Sequence, residues 1–135
     1  MFLFEEADTD TIALEMSNED PDTPFPEILV PIDEIHQCIL IIEENGTKIG
    51  FALIADFFGS LQIHRFFIRP AFRERGIGTS SASALVAYLR TELASGIDIE
   101  ATDERAERMW RRALADFPYR YLGQGKFSVC GPSAT

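Results

Sequence analysis

The sequence predicts an α/β (α+β) fold, built on a mixed, mostly antiparallel sheet of about six to seven strands with helices on both faces. Three observations carry that prediction. Residues 37–68 hold three apolar, β-branched runs separated by short turns, the first of them Asn45-Gly46. Residues 61–91 read as an apolar strand, a Pro-containing corner, a basic glycine loop and an amphipathic helix. A short strand after that helix completes a strand–helix–strand crossover, which makes the two strands parallel.

The chain begins with a short strand over residues 1–5 and a helical stretch over 7–16, capped by Asp8 or Thr9. Residues 17–27 (SNEDPDTPFPE) hold three prolines and four acids, so they form a loop. Pro31 with Asp33-Glu34 predicts one more helical turn. Strands follow over 37–44, 48–56 and 61–68. Asn and Gly tolerate positive φ, so Asn45-Gly46 closes the first hairpin, and residues 57–60 make the second turn. The apolar runs are continuous rather than alternating, which predicts cover on both faces. A helix spans 79–93, with Ala82, Leu85, Val86 and Leu89 toward the sheet, and Ser95-Gly96 ends it. Residues 97–102 (IDIEAT) alternate as the strand parallel to 61–68. Asp103 caps a second helix running to 115, with Met109, Trp110, Ala113 and Leu114 as its apolar side. Pro118 breaks the helical pattern, and 119–122 and 126–130 form a last strand pair. One domain is expected over 1–130, with 131–135 a loose tail.

At 135 residues the chain suits one domain with a real core, and its 11 Phe supply much of the apolar area. No apolar run nears the ~20 residues that span a bilayer. The opening MFLFEEAD has neither a basic region nor a long apolar stretch, so no signal peptide and a cytoplasmic setting are expected. The 22 acidic residues against 12 basic leave a net charge of −10, which repels nucleic acid and anionic membranes. The basic residues cluster locally, at Arg65, Arg69, Arg73 and Arg75 and again at Arg105, Arg108, Arg111 and Arg112. Such patches suit a small polyanion. Cys38 and Cys130 are too few for a zinc site, and free buried thiols are expected. His36 has no partners in sequence for a metal site and is given no role.

The chemistry centres on Arg73-Glu74-Arg75-Gly76-Ile77-Gly78 at the strand-to-helix junction. A helix N-terminus offers unpaired N–H groups and partial positive charge to a phosphate. Glycines let the main chain approach a ligand closely. There is no G-x-G-x-x-G near the start, and the loop lacks the Gly-Lys-Ser/Thr ending of a nucleotide-hydrolase loop, so dinucleotide and NTPase folds are disfavoured.

This loop, its lead-in Phe67-Ile68-Arg69-Pro70-Ala71-Phe72 and the order of elements resemble the GNAT superfamily of acyl-CoA-dependent N-acyltransferases. The family's pyrophosphate loop has the form Arg/Gln-x-x-Gly-x-Gly/Ala. A second family signature, Asn-x-x-Ala-x-x-aromatic, is matched in spacing by Asp103, Ala106, Met109 and Trp110, with two departures. Asp103 replaces the Asn, and Trp110 stands where many members carry a Tyr that protonates the departing thiolate. Indole is far too weak an acid for that task.

The resemblance implies a sheet splayed between strands 61–68 and 97–102 around acetyl-CoA, used as acyl donor. The pantetheine arm would pair with backbone near Phe66, Phe67 and Ile68 as an added strand does. The diphosphate would sit on N–H groups of Glu74, Arg75, Gly76, Ile77, Gly78 and Thr79, aided by Arg73 or Arg75, with Asp103 also at the cofactor. An amine, either a small cationic amine or a peptide amine, would attack the thioester directly. His64 suits a general base, with Glu100 as rival. Alternation places His64, Phe66 and Ile68 on one face unless a bulge intervenes. Tyr119 or Tyr121 could replace the missing acid. Arg105, Arg108 and Arg112 form a helical stripe that could meet the 3′-phosphate or pair with Asp103, Glu104 and Glu107. The acids Glu19, Asp20 and Asp22 could draw a cationic acceptor. The alternative is a GNAT-fold domain that binds acyl-CoA or a protein partner without transfer. The strands around 119–130 could pair with a second copy.

Overall fold

Seven strands form one sheet in the order β1-β2-β3-β4-β5-β7-β6. The computed structural model describes residues 1–22, 25, 27–29, 36–57, 60–73, 76–92 and 96–130. The expected turn at 31–34, the loop residues Glu74 and Arg75, the helix stop at Ser95 and the tail 131–135 lie outside them. The strands are β1 (Phe2–Ala7), β2 (His36–Glu44), β3 (Thr47–Phe57), β4 (Ser60–Ile68), β5 (Ile97–Glu100), β6 (Tyr119–Gly123) and β7 (Lys126–Val129). The helices are α1 (Thr11–Ser17), α2 (Ile77–Glu92) and α3 (Glu104–Ala113). Only β4 and β5 pair in parallel, as the crossover through α2 requires.

The β2–β3–β4 meander follows from its turn chemistry. Asn45 (φ 51°) and Gly46 (φ 84°) both occupy the left-handed region that a two-residue hairpin needs. The apolar runs are covered on both faces. Leu40, Ile54, Leu61, Ile63, Leu85 and Trp110 share the layer under α2 and α3. Ala13, Met16, Ile41, Phe51, Leu53 and Phe67 form the layer under α1. Each fully buried Leu or Val here contributes about 1.5–3 kcal/mol relative to exposure.

Several expectations shift. β1 runs on to Ala7, so α1 starts only at Thr11, and its N-cap Asp10 makes no side-chain capping bond. β2 starts one residue earlier than expected, at His36. The sequence leaves open which of the last two strands joins 97–102; β7 does, between β5 and β6. Cys38 and Cys130 are both free and half-buried, and burial, helped by Glu6, pushes the Cys38 thiol up. No helix among the described residues is long and apolar enough to cross a membrane.

A β-bulge in β4 positions the site. Leu53 pairs with Arg65 but Ile54 with Ile63, so His64 is the extra residue of the bulge. The extra residue flips side-chain parity. Leu61 and Ile63 before it, and Phe66 and Ile68 after it, all face the α2 side. His64 therefore does not share a face with Phe66 and Ile68, contrary to simple alternation.

Candidate functional site

β4 and β5 pair only through Leu61, Gln62 and Ile63, opposite Ile97, Asp98 and Ile99. Beyond the bulge no strand among the described residues pairs with β4 on that edge, which leaves an opening, here called the V, past the last paired residues Ile63 and Ile99. Backbone direction along this free half is set by two contacts. Arg69 N–H donates to the Ile49 carbonyl at 2.8 Å, and Gly50 lies against the Phe67 carbonyl. By antiparallel alternation, Phe67 turns its N–H and C=O to β3, while Phe66 and Ile68 turn theirs into the opening. Of the three residues expected to line it, two therefore present backbone there. The Ile68 carbonyl is taken by Arg73 Nε at 2.7 Å, leaving the groups of Phe66 and the Ile68 N–H.

The path from β4 leads through a 3-10 turn, Pro70–Phe72, to the start of α2. Gly76 carries φ 72°, and its carbonyl accepts the first helical bond, from Ser80 N–H at 3.0 Å. The N–H groups of Ile77, Gly78 and Thr79 then have no partner within the helix. No acid sits in the first turn, and a Cβ built on Gly78 meets nothing within 4 Å. This terminus fits a phosphate group: donors, dipole and open space coincide.

The arginines are used differently from expectation. Arg73 does not turn to the helix terminus. Its guanidinium pairs with Asp20 at 3.1 Å and lies over the Phe67 ring at 5.1 Å. Arg69 pairs with Glu19 at 2.9 Å, and Arg65 Nε donates to the Ile28 carbonyl at 2.9 Å beneath Phe25. Arginines four residues apart thus hold the segment after α1 onto β4. Glu19 and Asp20, expected to draw a cationic acceptor, are ion-paired within the protein. On α3 the reverse holds. Only Arg111 finds a carboxylate, Glu107 at 3.7 Å, while no carboxylate of the described residues lies within 4 Å of Arg105, Arg108 or Arg112.

The sequence profile of the acetyltransferase (GNAT) family matches residues 4–115. The chain belongs to the GNAT acetyltransferase family. Solved structures with the same fold include the ribosomal-protein-S18-alanine N-acetyltransferase of Escherichia coli (TM-score 0.62, 11% identity, covering 96% of this chain and 90% of that one). The E. coli protein YhhK, described as a candidate N-acetyltransferase and solved with coenzyme A, aligns with TM-score 0.60 at 16% identity over 97% and 98% of the two chains. A candidate GNAT acetyltransferase from Bacteroides thetaiotaomicron aligns with TM-score 0.61 at 22% identity over 96% and 86%. No curated protein sequence matches this one significantly.

The two departures from the GNAT signature have clear structural roles. Asp103 caps α3, its Oδ1 accepting the Ala106 N–H at 2.8 Å. Trp110 is 3% exposed and packs edge-on against Phe66, 5.4 Å between centroids, at the base of the V. Neither Tyr expected to stand in for the GNAT acid is brought there. Tyr119 lies on β6 at the level of Val129, Ile97 and Leu61. That is three strands from β4, about 14 Å at the usual strand spacing. The Tyr121 hydroxyl accepts from Gly125 N–H at 3.1 Å.

His64 and Glu100 do come together. Both line a cavity of about 280 Å³ with Gln62, Asp98, Leu122 and Lys126, on the face opposite α2 and α3. Burial and then Arg65 hold the His64 imidazole below its ordinary pKa, and Glu100 opposes them. Lys126, Gln62, Asp98 and Leu122 were not singled out from sequence. The place of Lys126 and Leu122 depends on β7 lying next to β5, which strand order alone reveals. A second hollow, about 260 Å³, lies at β1 and α1 and shares no residue with this one.

Proposed function

We propose that the chain transfers an acetyl group from acetyl-CoA to a primary amine by direct attack. The observation that carries this reading is a continuous donor track. The backbone groups of Phe66 and the N–H of Ile68 face the opening, and unpaired N–H groups of Ile77, Gly78 and Thr79 stand at the start of α2. The first stretch suits an amide-bearing arm paired like an added strand, and the second suits a diphosphate. Acyl-CoA, when bound, supplies an activated thioester carbonyl. The Phe66 N–H faces the opening two residues from His64 and would stabilise charge developing on that oxygen. His64, kept neutral by its lowered pKa, takes a proton from the entering ammonium so that the amine can attack. An N–C bond forms, the C–S bond breaks, and the amine's second proton leaves to water as thiol is restored.

The buried indole at Trp110 favours a second reading, binding without transfer, because an indole N–H cannot protonate a departing thiolate. Two assays separate the readings. Acetyl-CoA is expected to raise the melting temperature, and thiol release is expected with at least one class of primary amine. Thermal stabilisation without thiol release from any amine would establish the binding-only reading. No stabilisation by acetyl-CoA would overturn both.

A further inference from the structure

Beside the V, on the face opposite α2 and α3, three strands present side chains that the donor track does not use. The β4 bulge turns His64 onto this face alongside Gln62. β5 contributes Asp98 and Glu100, whose neighbours Ile97 and Ile99 are buried on the other side. β7 contributes Lys126, since Phe127 and Val129 face the core. The β6–β7 turn closes over the end of β5. Ala101 N–H donates to the Gly125 carbonyl at 2.8 Å, and Gly125 lies so close that a Cβ would stand 2.6 Å from the Ala101 carbonyl oxygen. That contact sets Lys126 and the 59% exposed Leu122 at the rim.

The charges here are complementary yet separate. Glu100 and Lys126 are directly opposite in the β5–β7 register, where Cβ atoms stand about 4.5–5.5 Å apart. No ion pair forms between them within 4 Å. Asp98 accepts from the Ser60 hydroxyl at 3.3 Å. Among the described residues Lys126 is the only Lys or Arg lining the cavity; Arg65 instead donates to the Ile28 carbonyl. At about 280 Å³ the cavity sits just under the usual range for small-molecule sites, so it fits something the size of one amino-acid residue.

We infer that the preferred acceptor is a small zwitterion, an α-amino acid, seated across β4, β5 and β7 with its amine between His64 and Glu100 and its carboxylate at Lys126. The inference rests on the transfer reading and names its acceptor. Glu100 attracts the incoming ammonium, His64 receives its proton, and Lys126 holds the carboxylate. The exposed Leu122 supplies the apolar lip for a side chain.

The test is thiol release from acetyl-CoA with matched acceptors: L-leucine, L-leucinamide and isopentylamine. L-Leucine is expected to show a kcat/KM about tenfold or more above its two partners, the advantage of one charge-assisted contact. Lys126→Met is expected to collapse that ratio towards one, and Lys126→Arg to keep most of it. Lys126 is exposed, so both variants retain the core. Equal kcat/KM for the three acceptors in the wild type, or a ratio unmoved by Lys126→Met, would overturn the inference while leaving transfer intact. Thiol release with none of the three, but with other amines, would overturn it too. Failure with every amine would instead sink the transfer reading itself.

Discussion

Gly78 has no conformational need to be glycine: its φ is not positive, it sits in the first turn of α2, and a Cβ there meets nothing. Open space in front of unpaired N–H groups is what a bound diphosphate requires. Gly78→Ala is therefore expected to stabilise the folded protein by up to about 1 kcal/mol. It should also weaken acetyl-CoA binding by about tenfold, since overpacking a contact costs on the order of 1–3 kcal/mol. Chemical denaturation and calorimetric titration read the two effects separately. His64 gives a pH signature. Its pKa is lowered, so it is protonated, and useless as a base, only below its ordinary 6.5. The acidic limb of kcat/KM is expected below pH 6.5, with the acceptor amine's own deprotonation a separate rise at higher pH. His64→Gln should remove the lower limb, and an unchanged profile would exclude His64 as the base. These residues were legible in part. The glycine loop announced itself by its residues, whereas Arg73, the first letter of the same motif, is spent on Asp20 and the Ile68 carbonyl.

Among elements, β4 does the most. Its apolar residues marked it as a strand, and its place before the glycine loop marked it as the donor side. Its bulge was not legible, because period-2 alternation carries no sign of one extra residue until the register is seen. The arginine clamp was equally hidden. Arg65, Arg69 and Arg73 read as a basic patch, and Glu19 and Asp20 as a free acidic loop, until the fold brought them together across about 50 residues of chain. Asp20 is only 6% exposed, so Asp20→Ala is expected to cost about 1.5–3 kcal/mol, the worth of a charged hydrogen bond. Adding Arg73→Ala should cost less than the sum of the single changes, as a double-mutant cycle in urea would reveal. The β6–β7 turn makes a comparable demand. Gly125 combines φ 77° with close approach to Ala101, so Gly125→Ala is expected to lose about 1–3 kcal/mol. The loosened turn should also raise the acceptor KM more than the acetyl-CoA KM.

Across the whole molecule, the layers, the hairpin meander and the parallel crossover were all readable from turn residues and apolar periodicity. The insertion of β7 between β5 and β6 was not, since two short strands joined by Gly123-Gln124-Gly125 pair with each other in either arrangement. That one ambiguity hid the Leu122, Lys126 and Phe127 side of the cavity proposed for the acceptor. In the proposed reading the sheet divides the labour. One face and the V hold the donor track, with Trp110 packed at its base, and the opposite face carries His64, Glu100 and Lys126. The donor track is the claim on which the rest depends, and amide chemical shifts of the 15N-labelled protein titrated with coenzyme A test it most directly. The account predicts that the amides of Phe66, Ile68, Ile77, Gly78 and Thr79 shift together at one affinity, and that Phe67, bonded to β3, moves less. Saturable binding that leaves these amides unmoved while others shift, such as those of Glu5 to Thr9 around the other hollow, would contradict it.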